Sequence, residues 1–141
     1  MSEDPTKDFQ PVFWATKRAL ALASASAFSR HGVHEGQQYV LQCLWAEDGL
    51  TPGEVARRLG LATPTVTRAT ARMEAAGLLR RRPHETDRRL VRLVLTERGR
   101  ALEQVIGREM DQLSERALAE LDPSQRAALV QSLNRVRRNL S

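Results

Sequence analysis

Apolar residues recur at three- and four-residue steps over several stretches of the chain and at alternate positions over one short stretch. These two periods divide it into elements. Phe9, Val12, Phe13, Thr16, Ala19, Leu20, Ala23 and Ala27 form one stripe, which predicts a long helix over 9–30. Lys17, Arg18 and Ser24 fall off the stripe, and His31-Gly32 ends it, the glycine serving as a left-handed cap. A second helix is expected from about 35 to 47, with Val40, Cys43 and Leu44 facing inward and Trp45 at an edge, until Asp48-Gly49 turns the chain.

Two short, closely spaced helices come next. Thr51-Pro52-Gly53-Glu54 has the order of a capping box, with Thr51 as cap, Pro52 in the first turn and Glu54 reaching back; Val55, Ala56 and Leu59 form the buried side. After the turn Gly60-Leu61-Ala62, Thr63-Pro64 is expected to cap the next helix in the same manner. Val66, Ala69, Thr70, Met73 and Gly77 then share a core-facing arc, while Pro64, Thr67, Arg68, Ala71 and Arg72 point away and Thr65 lies at the margin. Gly77 closes this helix. The period then changes to two: a strand over 78–82, turn formers over 83–87, and a strand over 90–95 whose Val91, Leu93 and Leu95 point inward.

Thr96 caps a fifth helix running to about 120, with Leu102, Val105, Ile106, Met110, Leu113 and Ala117 on one face. Gly99 and Gly107 weaken it by up to about 1 kcal/mol each but permit close packing. Asp122-Pro123 starts a sixth helix whose Leu129, Val130, Leu133, Val136 and Leu140 oppose Arg135, Arg137 and Arg138. The terminal helices share no compact core of their own, so a two-fold dimer made from the first, fifth and sixth helices is expected.

The fold expected from this order is mostly α with a small β-hairpin wing, a winged helix-turn-helix dimerising through its N- and C-terminal helices. Its DNA-binding lobe would span 34–98 and its helical dimerisation region 9–33 and 99–141, with 1–8 disordered. At 141 residues, with 41% hydrophobic and 28% charged residues, the chain accommodates one fold or a fold plus an oligomerisation element.

Charge adds a direction. Of the 22 Lys and Arg, 12 lie between 51 and 100 against 5 of the 17 acids, a net of +7 there and −2 elsewhere. The positive excess therefore falls on the helix pair and hairpin, where a polyanion would bind. The outer face of the fourth helix is small at its front and carries Arg68 and Arg72, so it can enter a major groove about 12 Å wide. Arg88 and Arg89 at the hairpin tip suit a narrow minor groove. Asp87 would be repelled by phosphate, so it is expected to fix the wing by pairing with one of those arginines.

Catalysis is not expected. The three histidines assemble no nucleophile–base set, the glycines stand singly at helix ends, and neither a cofactor nor a metal site is expected. Cys43 is alone, which excludes an internal disulfide and a Cys-based zinc site and reads as a thiol packed as a small hydrophobe. No run approaches the roughly 18 apolar residues of a membrane span, so the chain is expected in the cytoplasm, away from membrane. The alternative is a winged helix used as a protein-interaction or non-specific nucleic-acid-binding module without operator specificity.

The segments Thr63-Pro64-Thr65-Val66-Thr67-Arg68, 78–82, Asp87-Arg88-Arg89 and Leu93-Val94-Leu95-Thr96 with Gly99 resemble the MarR family of bacterial winged-helix regulators, over about 9–140. The resemblance implies a homodimeric repressor on a pseudo-palindromic operator in double-stranded DNA, with Thr63, Pro64, Thr65, Thr67, Arg68 and Arg72 in the major groove. Arg88 and Arg89 would form the wing contact, with Asp87 in support. Many relatives are released by a small aromatic acid. Trp14, Arg18 and Tyr39 are the nominees for such an effector pocket here, against the plainer reading of two packing aromatics and a solvated arginine. Peroxide-sensing relatives place a cysteine near the first helix, whereas Cys43 lies in the second. Zinc-sensing relatives use histidines in the fifth helix. Here only His31, His34 and Glu35 lie near the start of the second, so no metal is expected.

Overall fold

The computed structural model describes residues 2–34 and 36–141. Its elements are α1 Pro5–Arg30, α2 Gln37–Ala46, α3 Pro52–Leu59, α4 Thr63–Ala75, β1 Leu79–Pro83, β2 Val91–Leu95, α5 Glu97–Ala117 and α6 Pro123–Leu140. This is the expected mostly helical chain with one hairpin.

The differences lie at element ends, and each has a local cause. α1 starts at Pro5, so residues 5–8 are helical rather than disordered. Asp4 caps them by accepting from the Thr6 N–H, with Pro5 in the first turn. Apolar periodicity overlooks such a start because the first turn is polar. α2 begins two residues later than expected, after Gly36 in the left-handed region (φ 89°), and Glu35 lies outside the described residues. Its inward face is Gln37, Val40, Leu41 and Leu44, with Cys43 only half-buried.

The expected capping box of α3 is half formed. Thr51 Oγ1 accepts from the Glu54 N–H at 3.2 Å, but the Glu54 carboxylate takes the Thr51 hydroxyl rather than its backbone N–H. α4 is capped by Ala62 with no side-chain bond, and Thr63 is already helical. Pro64 lies within the first turn, where its missing N–H is not needed, so the helix can start one residue earlier than Thr63-Pro64 suggests. Gly77 is exposed, not inward: it lies one residue beyond the cap Ala76, in the left-handed region, and stops the helix. α5 ends at Ala117, and Asp122 with Gln125 forms a complete capping box for α6.

The hairpin is antiparallel with Leu79 opposite Leu95 and Arg81 opposite Leu93, which puts Leu79, Leu93 and Leu95 in the core. Leu50 runs alongside β2: the Leu93 N–H donates to its carbonyl and the Gly49 N–H to that of Leu93. The core packs Leu41, Leu44, Val55, Val66, Met73, Leu78, Leu79 and Leu93 together, closed by Phe28 of α1 and by Leu102 and Ile106 of α5. Burial of this cluster is the main term holding the lobe, at roughly 1.5–3 kcal/mol for each large side chain.

The start of α5 is clamped to the end of α4. Thr96 Oγ1 accepts from the Gly99 N–H and donates to the Gly77 carbonyl at 2.6 Å, and Arg98 Nη1 donates to the Ala76 carbonyl at 2.7 Å. Gly99 is required at this crossing, because a Cβ there would lie 2.1 Å from the Leu78 carbonyl oxygen. Gly107, also expected to permit close packing, meets nothing within 4 Å. α6 contributes no buried residue. Among the described residues, no helix is long and apolar enough to cross a membrane.

Candidate nucleic-acid interface

Val66, Thr70 and Met73 anchor α4 in the core, which turns the opposite face to solvent. Thr63, Pro64, Thr65, Thr67, Arg68 and Arg72 are all exposed on that helix. The Arg68 and Arg72 side chains make no hydrogen bond or ion pair with any described residue, so their guanidinium donors are free for a ligand. The helix opens without a side-chain cap: Pro64 has no N–H, and the Thr65 N–H turns back to the Ala62 carbonyl at 3.0 Å.

The wing is fixed by two carboxylates. Asp87 accepts from the Arg89 N–H at 3.0 Å and from its Nε and Nη2, each at 3.1 Å, a two-point pair on an arginine whose side chain remains 89% exposed. That guanidinium holds the Asp87 carboxyl below its ordinary range. Arg88 has no partner among the described residues. Behind the tip, Arg92 donates through Nε to Glu85 at 2.6 Å and through Nη1 to the Gly49 carbonyl at 2.8 Å, tying the turn to the α2–α3 loop. The Arg92 bond lowers the Glu85 carboxyl to about 2. His84 Nδ1 faces the N–H groups of Thr86 and Asp87, closing the turn.

Charge counting did not separate unpartnered arginines from bracing ones. Arg58 pairs with Glu47 and Arg100 with Asp48, whose other oxygen accepts from the Leu95 N–H. Arg81 donates to the Thr67 carbonyl, as Arg92 and Arg98 do to those of Gly49 and Ala76. Arg57, Arg68, Arg72, Arg80, Arg82 and Arg88 keep their guanidinium groups free of described partners, on the outer surface of the lobe. No sequence signal marks the bracing set, since the acceptors are mostly backbone carbonyls far along the chain.

The effector nominees are not gathered. Trp14 packs edge-on against Phe13 with the Lys17 ammonium 5.2 Å from its ring, all on α1, and Tyr39 is exposed on α2. One open groove of about 730 Å³ lies between β1 and the ends of α4 and α5, beside Arg80 and Arg82; a smaller one of about 280 Å³ separates α1 from α5. Trp14, Arg18 and Tyr39 line neither. In the smaller groove Glu109 takes Arg30 at 2.8 Å and His31 Nε2 at 2.7 Å, which gives His31 a carboxylate partner. No metal-binding cluster of three ligating side chains occurs among the described residues. Burial pushes the Cys43 thiol up, against the opposing field of Arg58, so it keeps its proton at neutral pH and behaves as a packing group.

The MarR family model matches residues 34–91, from the α1–α2 loop to the first residue of β2. Residues 34–91 are thus a MarR-family segment. Among relatives of this chain is the HTH-type transcriptional regulator TtmR of Methylorubrum extorquens, 37% identical over 103 residues, which cover 71% of this chain and 53% of TtmR. The match thus spans about half of that relative's length. A MarR transcriptional regulator from Methanosarcina mazei superposes with a TM-score of 0.78 at 25% identity, covering 94% of this chain and 96% of its own. The YusO protein of Bacillus subtilis shares the fold, with a TM-score of 0.82 at 22% identity over 98% of this chain and 99% of its own. The shared fold therefore extends over the terminal helices as well as the lobe.

Proposed function

We propose that this chain is a sequence-specific, DNA-binding transcriptional regulator that acts in the cytoplasm as a homodimeric repressor. Each copy would set α4 in a major groove, with Thr63, Pro64, Thr65, Thr67, Arg68 and Arg72 against base edges and phosphates. The wing would enter the flanking minor groove through Arg88 and Arg89, the latter held by Asp87. Residues 34–98 serve as the DNA-binding lobe and residues 9–33 and 99–141 as the dimerisation region, with half-sites roughly 34–36 Å apart. Bound DNA then excludes polymerase. The observation that carries the reading is that Arg68 and Arg72 on α4 and Arg88 at the hairpin tip are exposed with unpartnered side chains, while neighbouring arginines are spent on bracing these elements. TtmR and the Methanosarcina protein carry "transcriptional regulator" in their names, which agrees. An effector pocket at Trp14, Arg18 and Tyr39 forms no part of the proposal.

Selection of bound sites from random and genomic DNA, followed by gel-shift titration, tests it. Arg68→Ala is expected to cost about 1–3 kcal/mol and to relax sequence preference. Arg89→Ala is expected to weaken many sequences together and to flatten the salt dependence by about 0.9 in log–log slope. Wild-type affinity in both variants would refute the docking. A wild type that binds every sequence alike would point to the non-specific module.

A further inference from the structure

We propose that Arg81 is the positioning residue of the reading head: it sets the angle between α4 and the wing and makes no DNA contact itself. This rests on the reading of α4 as the major-groove helix. Arg81 is the middle of three consecutive arginines, and the strand's alternation separates it from the other two. Arg80 and Arg82 are exposed and unpartnered, whereas Arg81 shares the inward face of β1 with Leu79, opposite the fully buried Leu93.

Arg81 holds α4 at two points. Nη2 donates to the Thr67 carbonyl at 3.0 Å, and the Arg81 backbone N–H donates to Glu74 Oε2 at 2.8 Å. The Thr67 carbonyl also accepts from Thr70 Oγ1 at 3.1 Å. Thr67 and Glu74 are seven residues apart, about 10 Å along the helix axis. One attachment would leave a pivot; two at this separation fix a direction. The first of them is made to the residue between Thr65 and Arg68, where base edges would be read.

The side chain is held there at some cost. Its Nε is buried without a partner among the described residues, whereas a guanidinium swung into solvent would hydrate every N–H. A charged donor on a carbonyl makes a stronger bond than a neutral one, which suits a brace. Base-edge hydrogen bonds tolerate little displacement, while phosphate contacts carry affinity without sequence. Loosening Arg81 should therefore remove discrimination and leave the electrostatic part of binding.

The full-length chain is titrated against an operator taken from site selection and a scrambled duplex of equal length, across a salt series. Arg81→Met keeps the stem and deletes the donors. The operator-to-scrambled affinity ratio is expected to fall roughly tenfold, the scale of one lost base contact, with the salt slope unchanged. An unchanged ratio would overturn the proposal. So would a slope reduced by about 0.9 at constant ratio, since that identifies a phosphate contact. If Arg81→Met does not fold, Glu74→Ala, at an exposed position, removes the second attachment alone. A fall of about threefold in the ratio supports the brace, and no fall overturns it. A wild type that fails to discriminate defeats the operator reading and this proposal together; a discriminating wild type matched by the variant defeats this proposal alone.

Discussion

The lobe and the arms of this chain solve the burial problem differently. In the lobe, α2, α3, α4 and the hairpin enclose Leu41, Leu44, Val55, Met73 and Leu79 almost completely. In the arms, α1 and α6 expose ten of the thirteen large apolar side chains that face solvent among the described residues, including Phe9, Val12, Phe13, Leu129, Val130 and Leu133. A lobe that closes its own core can hold a reading surface steady. Arms that leave apolar stripes open hold the material for a second copy, which is the dimer proposed above.

The contrast can be broken most severely where the two regions meet. Gly99→Ala places a methyl group 2.1 Å from the Leu78 carbonyl oxygen, a backbone atom that cannot swing aside, so α5 must separate from the lobe. A loss of about 3 kcal/mol or more is expected in urea denaturation. Met73→Ala, a cavity at a fully buried site, is expected to cost about 2–5 kcal/mol whatever the protein concentration. Leu133→Asp, on the open stripe, is expected instead to leave the lobe folded and weaken self-association by about a hundredfold in sedimentation equilibrium. A Leu133→Asp chain that associates like wild type would show that α6 is not the meeting surface.

The smallest effect concerns pH at the wing. The Glu85 carboxyl is lowered from 4.5 to about 2 by its bond to Arg92, and Asp87 is lowered by Arg89. A lowered carboxylate supports the folded wing fully above its ordinary value and loses that support as pH falls through its folded value. The wing should therefore be indifferent to pH between 8 and 5 and loosen from about 4.5 downward. Protection of the Arg89 and Arg92 Nε–H resonances, followed by NMR, checks this. Loosening already between pH 8 and 5 would contradict it.

Much of the fold was legible because its signals are local. The change of period after Gly77, the cap at Thr51 and the stop at Gly32 all act within a few residues. Helix starts were less legible where the first turn is polar, as at Asp4-Pro5, or where proline fits two positions, as at Pro64. The outward face of α4 was legible from the wheel, since Val66, Thr70 and Met73 fix the inward one. The division of labour among the arginines was not, because Arg81, Arg92 and Arg98 find carbonyls 14, 43 and 22 residues away. A residue's charge is written in the sequence, whereas the carbonyl it will meet depends on the finished packing.

The clamp formed by Thr96, Arg98 and Gly99 makes α5 a lever. Its 21 residues span about 30 Å, so a tilt of about 5° at one end displaces the other by roughly 3 Å. That is close to the 3.4 Å rise of one base-pair step. With α4 fixed to the short arm, such a tilt would leave the shape of the reading surface intact and change only which base pairs two copies span together.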